Sequence, residues 1–287
     1  VSYQLRKNSS RRYSMTRNLK IKTLVLTITL LSLSFVNNNQ VYAKKALTGL
    51  QIMKIQKNAQ KAKTEYQEQS MLLIDKNGKT RKRRVREFGK ETGKDIHNAL
   101  ITFLSPSNVK GTALLTWQNK KKQDDQWLYQ PAKKKLQRIS SASKGQYFMG
   151  TDLTYEDMQS EELQHFNYRL IKKEKLNGVW CYKVEAKPKT KSKRRESNYS
   201  KRTLWIHTNY FYTIQTNFYD KRGKFVKQMK ARKFKNVGKR MWRPDETVMS
   251  NFKLKHKTVV KVTKRTVNKG IHPKVFKKQY LTSRSHM

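Results

Sequence analysis

The sequence predicts a mainly β protein, about a dozen antiparallel strands in one curled sheet with few helices. Three observations carry this expectation. Apolar and polar residues alternate with period two over most of the chain, the signature of half-buried strands. Turn signals, among them Asn77-Gly78, Ser105-Pro106, Asn177-Gly178 and Arg222-Gly223, break the runs at near-regular intervals. No βαβ rhythm, internal repeat or Pro/Gly-rich linker interrupts the series, so a single domain is expected over residues 44–287. A sheet of that many strands must curl or close.

The elements follow in order. Leu47, Leu50 and Met53, beside Ile52, Ile55 and Ala59, recur at helical spacing and predict a first helix over residues 46–58. Strands are expected over residues 65–75 and 80–88, joined at Asn77-Gly78, a pair suited to the two positive φ angles of a type I′ turn. Further strands are expected over 97–104, 112–118, 127–130 and 135–139, the last two forming a hairpin across Pro131. A Ser/Gly loop over 140–146 leads to a short helix near 154–159, capped by Asp152 or Thr154. Strands resume over 166–175, 179–187, 202–208, 211–220, 224–234, 241–252 and 257–267. Residues 189–197 read as a basic loop, and 271–280 as a short strand or helical turn.

The amino terminus sets the expected compartment. After Met15, Arg17, Lys20 and Lys22 precede an uncharged apolar run over 23–36, then polar residues and Val41-Tyr42-Ala43. This is the pattern of a secretory signal peptide cleaved after Ala43. The apolar run is shorter than the ~20 residues of a membrane-spanning helix. No cysteine follows the expected cleavage site, so the mature chain, beginning at Lys44, is expected in the periplasm without a lipid anchor.

The chain carries 66 Lys and Arg against 19 Asp and Glu, a formal charge of +47. Such a surface attracts nucleic acid, anionic headgroups or acidic polymers. The charge is spread along the whole chain, with clusters at 81–84, 133–135 and 191–195. Export argues against a nucleic-acid partner. The lone Cys181 forms no internal disulfide and reads as a buried strand residue.

Motifs of chemistry are absent from the sequence. It has no Gly-rich phosphate loop, no nucleophile elbow, and no metal spacing among its six His residues, so neither a metal nor a cofactor is expected. Asp152, Glu156 and Asp157 form the one acidic cluster that acid–base work could use; capping a short helix explains it better. Aromatic alternation such as Trp127, Tyr129 and Phe148 reads either as core or as the lining of an apolar trough on a concave face. The trough reading adds Trp117, Met149, Tyr155 and Trp205.

Three stretches together resemble the outer-membrane lipoprotein-sorting proteins, the LolA-like carriers. They are Phe103-Leu104-Ser105-Pro106 through Leu115, then Trp127-Leu128-Tyr129 with Pro131 and Arg138, then Phe148-Met149-Gly150-Thr151-Asp152-Leu153 with Tyr155-Glu156-Asp157. Trp180-Cys181-Tyr182 through Pro188 is also family-like. The resemblance spans most of the chain after residue 44. It implies an unclosed antiparallel β-barrel with short helices covering the open side. It also implies a non-enzymatic, monomeric carrier in which Pro131, Arg138, Gly150, Asp152 and Asp157 are structural. The implied cargo is a lipoprotein's acyl chains or a lipid, with transient membrane-surface contact and an inner-membrane transporter of the resistance–nodulation–division or ABC type as partner. A non-carrying envelope docking protein and a secreted enzyme acting on an anionic polymer are the alternatives. The high positive charge departs from the family pattern.

Overall fold

The computed structural model describes residues 46–287 apart from Lys94, Lys121 and Lys122. The expected signal peptide and its cleavage site lie outside the described residues. Helix α1, Gly49–Ala59, begins at a capping box in which Thr48 and Gln51 satisfy each other's backbone N–H groups, removing two orphan donors of the first turn. Strands β1 (Thr64–Ile74), β2 (Thr80–Gly93), β3 (Ile96–Ser105), β4 (Ala113–Trp117), β5 (Asp125–Gln130) and β6 (Lys135–Arg138) follow. After a long connection come β7 (Phe166–Leu176), β8 (Val179–Pro188), helix α2 (Lys191–Glu196) and β9 (Tyr199–His207). The chain continues through β10 (Thr213–Asp220), β11 (Phe225–Gly238), β12 (Met241–Asn251) and β13 (His256–Val267), and ends in helix α3 (Lys278–Thr282).

Among the described residues these 13 strands form one sheet in the order β6-β5-β4-β3-β2-β1-β13-β12-β11-β10-β9-β8-β7. Every pairing is antiparallel. The first and last strands meet in the middle, and the two edges, β6 and β7, are neighbours in sequence. The sheet is therefore an unclosed barrel, and the connection over residues 139–165 must span from one edge to the other. That connection holds the family-like stretch Phe148 to Asp157.

Alternation places two different surfaces on the two faces. On the concave face Met71, Leu73, Val85, Ile101, Phe103, Leu114 and Leu128 pack against Phe148 and Tyr155 of the connection. On the same face Ile52 and Met53 of α1 pack against Val184, Ala186, Leu204 and Ile206. On the convex face Leu100, Ala113, Leu115 and Tyr129 are covered by Val275, Phe276 and Leu281 of the carboxy-terminal segment. Cross-strand register confirms the split, because Leu114 opposes Leu128 while Leu115 opposes Trp127.

Helix α1 approaches the sheet closely because Gly49 has no side chain. A Cβ there would stand 2.7 Å from the carbonyl carbon and oxygen of Tyr168. Gly49→Ala should push the helix away, with an expected loss of about 1–3 kcal/mol, the usual range for overpacking. A lowered thermal midpoint with new proteolytic cleavage inside α1 is the readout.

The concave face is not apolar throughout. Arg243 bonds Glu65 at 2.9 Å, and Arg265 bonds Asp245 at 2.7 Å. Gln69 donates to Glu87 at 2.9 Å. Burial, reinforced by the neighbouring Glu65 carboxylate, pushes Glu87 from 4.5 up to about 7. A group raised in this way binds more protons folded than unfolded, so its contribution is most favourable below about pH 4.5 and declines as pH rises towards 7. Glu87→Gln should flatten that slope and make the protein more stable than wild type near neutrality. Urea midpoints measured at acidic and at neutral pH check this.

Several local expectations need correction. At the first hairpin only Gly78 takes a positive φ, +80°; Asp75 Oδ1 accepts the N–H groups of Asn77 and Lys79. The carboxylate shapes a wider loop in place of the type I′ turn. Asn177 and Gly178 do both have positive φ, 49° and 82°, and there the two-residue turn forms. The basic stretch after β8 contains α2, because Thr190 Oγ1 accepts the Lys193 N–H at 3.0 Å and starts a helix. Residues 154–159 make turns and no helix. Thr154 N–H donates to Asp157 Oδ2 at 2.8 Å, and Asp157 N–H donates to Thr154 Oγ1 at 3.3 Å, closing a single turn.

Candidate ligand cavity

The concave face of β9–β12 leaves a cavity of about 790 Å³ beneath α1. Its floor is one cross-strand row. Leu204 opposes Thr216, Thr216 opposes Met229, and Met229 opposes Met249. Phe218 extends the floor, and Met53 and Gln56 of α1 form the roof. The side walls come from the connection, through Leu153, Glu156, Asp157 and Glu161, and from Lys193 and Glu196 of α2. Three unbranched methionines suit such a site, since their side chains adapt to ligands of different shape. A cavity of this size lies within the range of small-molecule sites, about 300–1,000 Å³.

The connection is held in place by polar anchors. Asp157 and Lys227 form an ion pair with both side chains almost fully buried. Tyr199 OH donates to the other Asp157 oxygen at 2.9 Å. Lys227 also donates to the Asp152 carbonyl at 3.3 Å. Asp152 N–H donates to Thr258 Oγ1 at 2.9 Å, and the same hydroxyl donates back to Asp152 Oδ2 at 2.7 Å. Burial raises the Asp152 carboxyl above the ordinary range. Glu156 accepts from Asn198 N at 2.7 Å and from Asn198 Nδ2 at 2.9 Å. The acidic cluster thus ties a strap to the sheet. Among the described residues, no group of three or more His, Cys, Asp and Glu side chains is placed to hold a metal.

The other motif residues also have structural surroundings. Pro131 opens a 3-10 turn between β5 and β6. Arg138 Nε donates to Asp125 at 2.8 Å, fixing the edge strand. Gly150 has a φ of +73°, a conformation that favours glycine. Cys181 is buried, and burial pushes its thiol up to about 11, far from a reactive thiolate.

None of the seven side chains expected to line a trough is in the lining of this cavity. Phe148, Met149 and Tyr155 are on the concave side but belong to the packed cluster over β1–β5. Trp117, Trp127 and Tyr129 are on the convex face under the carboxy-terminal segment. Trp117 Nε1 donates to the Phe276 carbonyl at 2.8 Å, and Lys278 sits 3.4 Å from the Trp127 ring centroid. Trp205 alternates with Leu204 and Ile206 and so faces outward, donating to Glu174 at 2.8 Å beneath Lys183. The actual floor contains Leu, Thr, Met and a single Phe, a composition with no local signal in the sequence.

A single antiparallel sheet wrapped around a lidded cavity, open between its edge strands, defines the LolA-like class. Residues 95–283 match a protein-family model described as "Uncharacterized protein", and the chain belongs to that family. A domain described as an outer membrane lipoprotein-sorting protein from Vibrio parahaemolyticus is 28% identical with a TM-score of 0.77; the match covers 82% of this chain and 98% of that one. A DUF1329 family protein from Desulfovibrio piger is 26% identical with a TM-score of 0.77, over 81% and 97% of the two chains. A LolA superfamily protein from Nitrosomonas europaea shares the fold at 18% identity and a TM-score of 0.65, over 82% and 100%. No curated protein matches the sequence. The resemblance to outer-membrane lipoprotein-sorting proteins and the unclosed β-barrel expected from it are both borne out. Among the described residues no helix is long and apolar enough to cross a membrane.

Proposed function

We propose that this protein is a periplasmic carrier that shelters the acyl chains of a lipid or lipoprotein in the cavity and passes them between membranes. In this reading it works as a monomer beside an inner-membrane transporter of the resistance–nodulation–division or ABC type. The observation that carries the proposal is the unfilled space above the Leu204–Thr216–Met229–Met249 row. Each methylene sheltered there contributes about 0.8 kcal/mol, so a single long chain offsets much of what leaving a bilayer costs.

Helix α1 supplies the lid. It rests on Gly49 and Ile52, and its far end is pinned where Gln60 Nε2 donates to the Tyr210 carbonyl at 2.8 Å. Loading and release require that end to lift, in the manner of other active-site and cargo lids. The acidic cluster argues against the enzyme alternative, since Glu156 and Asp157 are already committed to loop donors and to Lys227. The purified mature chain should withdraw labelled phospholipid or acylated peptide from liposomes. Labels left entirely in the vesicles, with a donor transporter present, would contradict the proposal.

A further inference from the structure

We propose that the cavity selects amphiphiles bearing an anionic group, a carboxylate or a phosphate, and that the Lys144 ammonium binds that group. The inference deepens the carrier reading and rests on it. Lys144 belongs to a short 3-10 turn over Ser141–Gly145 and lines the cavity with only 5% of its surface exposed. Its backbone is fixed, since its carbonyl accepts the Glu156 N–H at 2.9 Å. A side chain at Gly145 would collide with Asn198, so the turn is held against the segment following α2.

Among the described residues the Lys144 ammonium has neither an ion pair nor a hydrogen bond. The nearby carboxylates are engaged elsewhere. Glu156 is bound by Asn198, Glu196 accepts from Ser192 Oγ at 2.9 Å, and Asp124 accepts the Asn119 N–H at 3.0 Å. Burial lowers the Lys144 pKa and Lys193 acts in the same direction, while Asp124, Glu196 and Glu156 offset part of that effect without pairing with the ammonium. An anion arriving with the ligand would complete the pair. The apolar floor of Leu204, Phe218, Met229 and Met249 lies in the same cavity and accepts the tail.

The test uses the full mature chain and three probes of one chain length: laurate, lauroyl lysophosphatidate and neutral monolaurin. Wild type should bind both anionic probes at least about tenfold more tightly than monolaurin, the scale of one charge-assisted bond. Lys144→Met should bring that ratio close to one, and Lys133→Gln, on an exposed hairpin, should leave it as in wild type. Laurate favoured alone assigns a carboxylate source, and lysophosphatidate favoured alone assigns a phosphate headgroup. Inorganic phosphate should fail to displace either probe; displacement would reduce the site to a free-anion site and overturn the amphiphile assignment. Without ligand, Lys144→Met should unfold at the same temperature as wild type or higher, because it removes an unpaired charge; a lower midpoint would mean that Lys144 has a partner within the protein. Equal binding of all three probes by wild type overturns this inference and leaves the carrier reading standing. Failure to bind any of them removes both.

Discussion

Asp157→Ala should destabilise the protein by about 3–5 kcal/mol, the usual effect of removing one partner of a buried pair. Lys227 would keep the Asp152 carbonyl and the faces of Tyr199, Phe218 and Tyr147, 5.2, 5.3 and 5.8 Å away. Thr154 and Tyr199 would lose their acceptor at the same time. The strap that bridges the two edge strands would then detach from β9 and β11. Asp157→Asn should lose less, since the amide oxygen still accepts one of those bonds. The double substitution Asp157→Leu with Lys227→Met should recover most of the loss, because buried pairs are often replaceable by apolar side chains of similar volume. Urea unfolding of the set decides; a change within about 1 kcal/mol for Asp157→Ala, the size of a surface pair, would show that the pair does not hold the strap.

Thr216→Trp should abolish cargo uptake while leaving the fold intact. Thr216 is at the centre of the cross-strand row, with Leu204 on one side and Met229 on the other. An indole built there enters the open space of the cavity, so the overpacking that destabilises a filled core does not arise. Excluding even two methylenes of cargo removes about 1.6 kcal/mol of burial, which is more than tenfold in affinity. Liposome extraction should therefore fall by at least that factor at an unchanged unfolding midpoint. Undiminished extraction would mean that cargo binds somewhere other than above this row.

Most of the fold was legible because its signals are local. Strand alternation and Asn-Gly or Arg-Gly turns located the strands to within a few residues, and the Asn177-Gly178 turn formed as its residue types require. The face assignment was not legible. Alternation says that Trp127 and Tyr129 share a face, and only tertiary packing decides which one. Leu114 and Leu128 meet Phe148 from the strap, while Val275 and Phe276 cover the tryptophans. The cavity floor carries no local signal, because Thr216, Met229 and Met249 come from three strands and are unremarkable in each. Asp157 stood out as one of an acidic cluster, yet its partner Lys227 is on β11, a distant strand with no local cue. Lys144 reads as a solvated loop lysine until the loop is seen folded into the cavity wall.

If the space beneath α1 holds an acyl chain, cargo should travel with the protein. Native mass spectrometry of the mature protein purified from its own periplasm is the decisive experiment. The expected spectrum contains a population heavier by the mass of one lipid or acylated cargo, lost from Thr216→Trp prepared in the same way. A wild-type protein that carries no such mass, or a Thr216→Trp variant that carries as much as wild type, would contradict it.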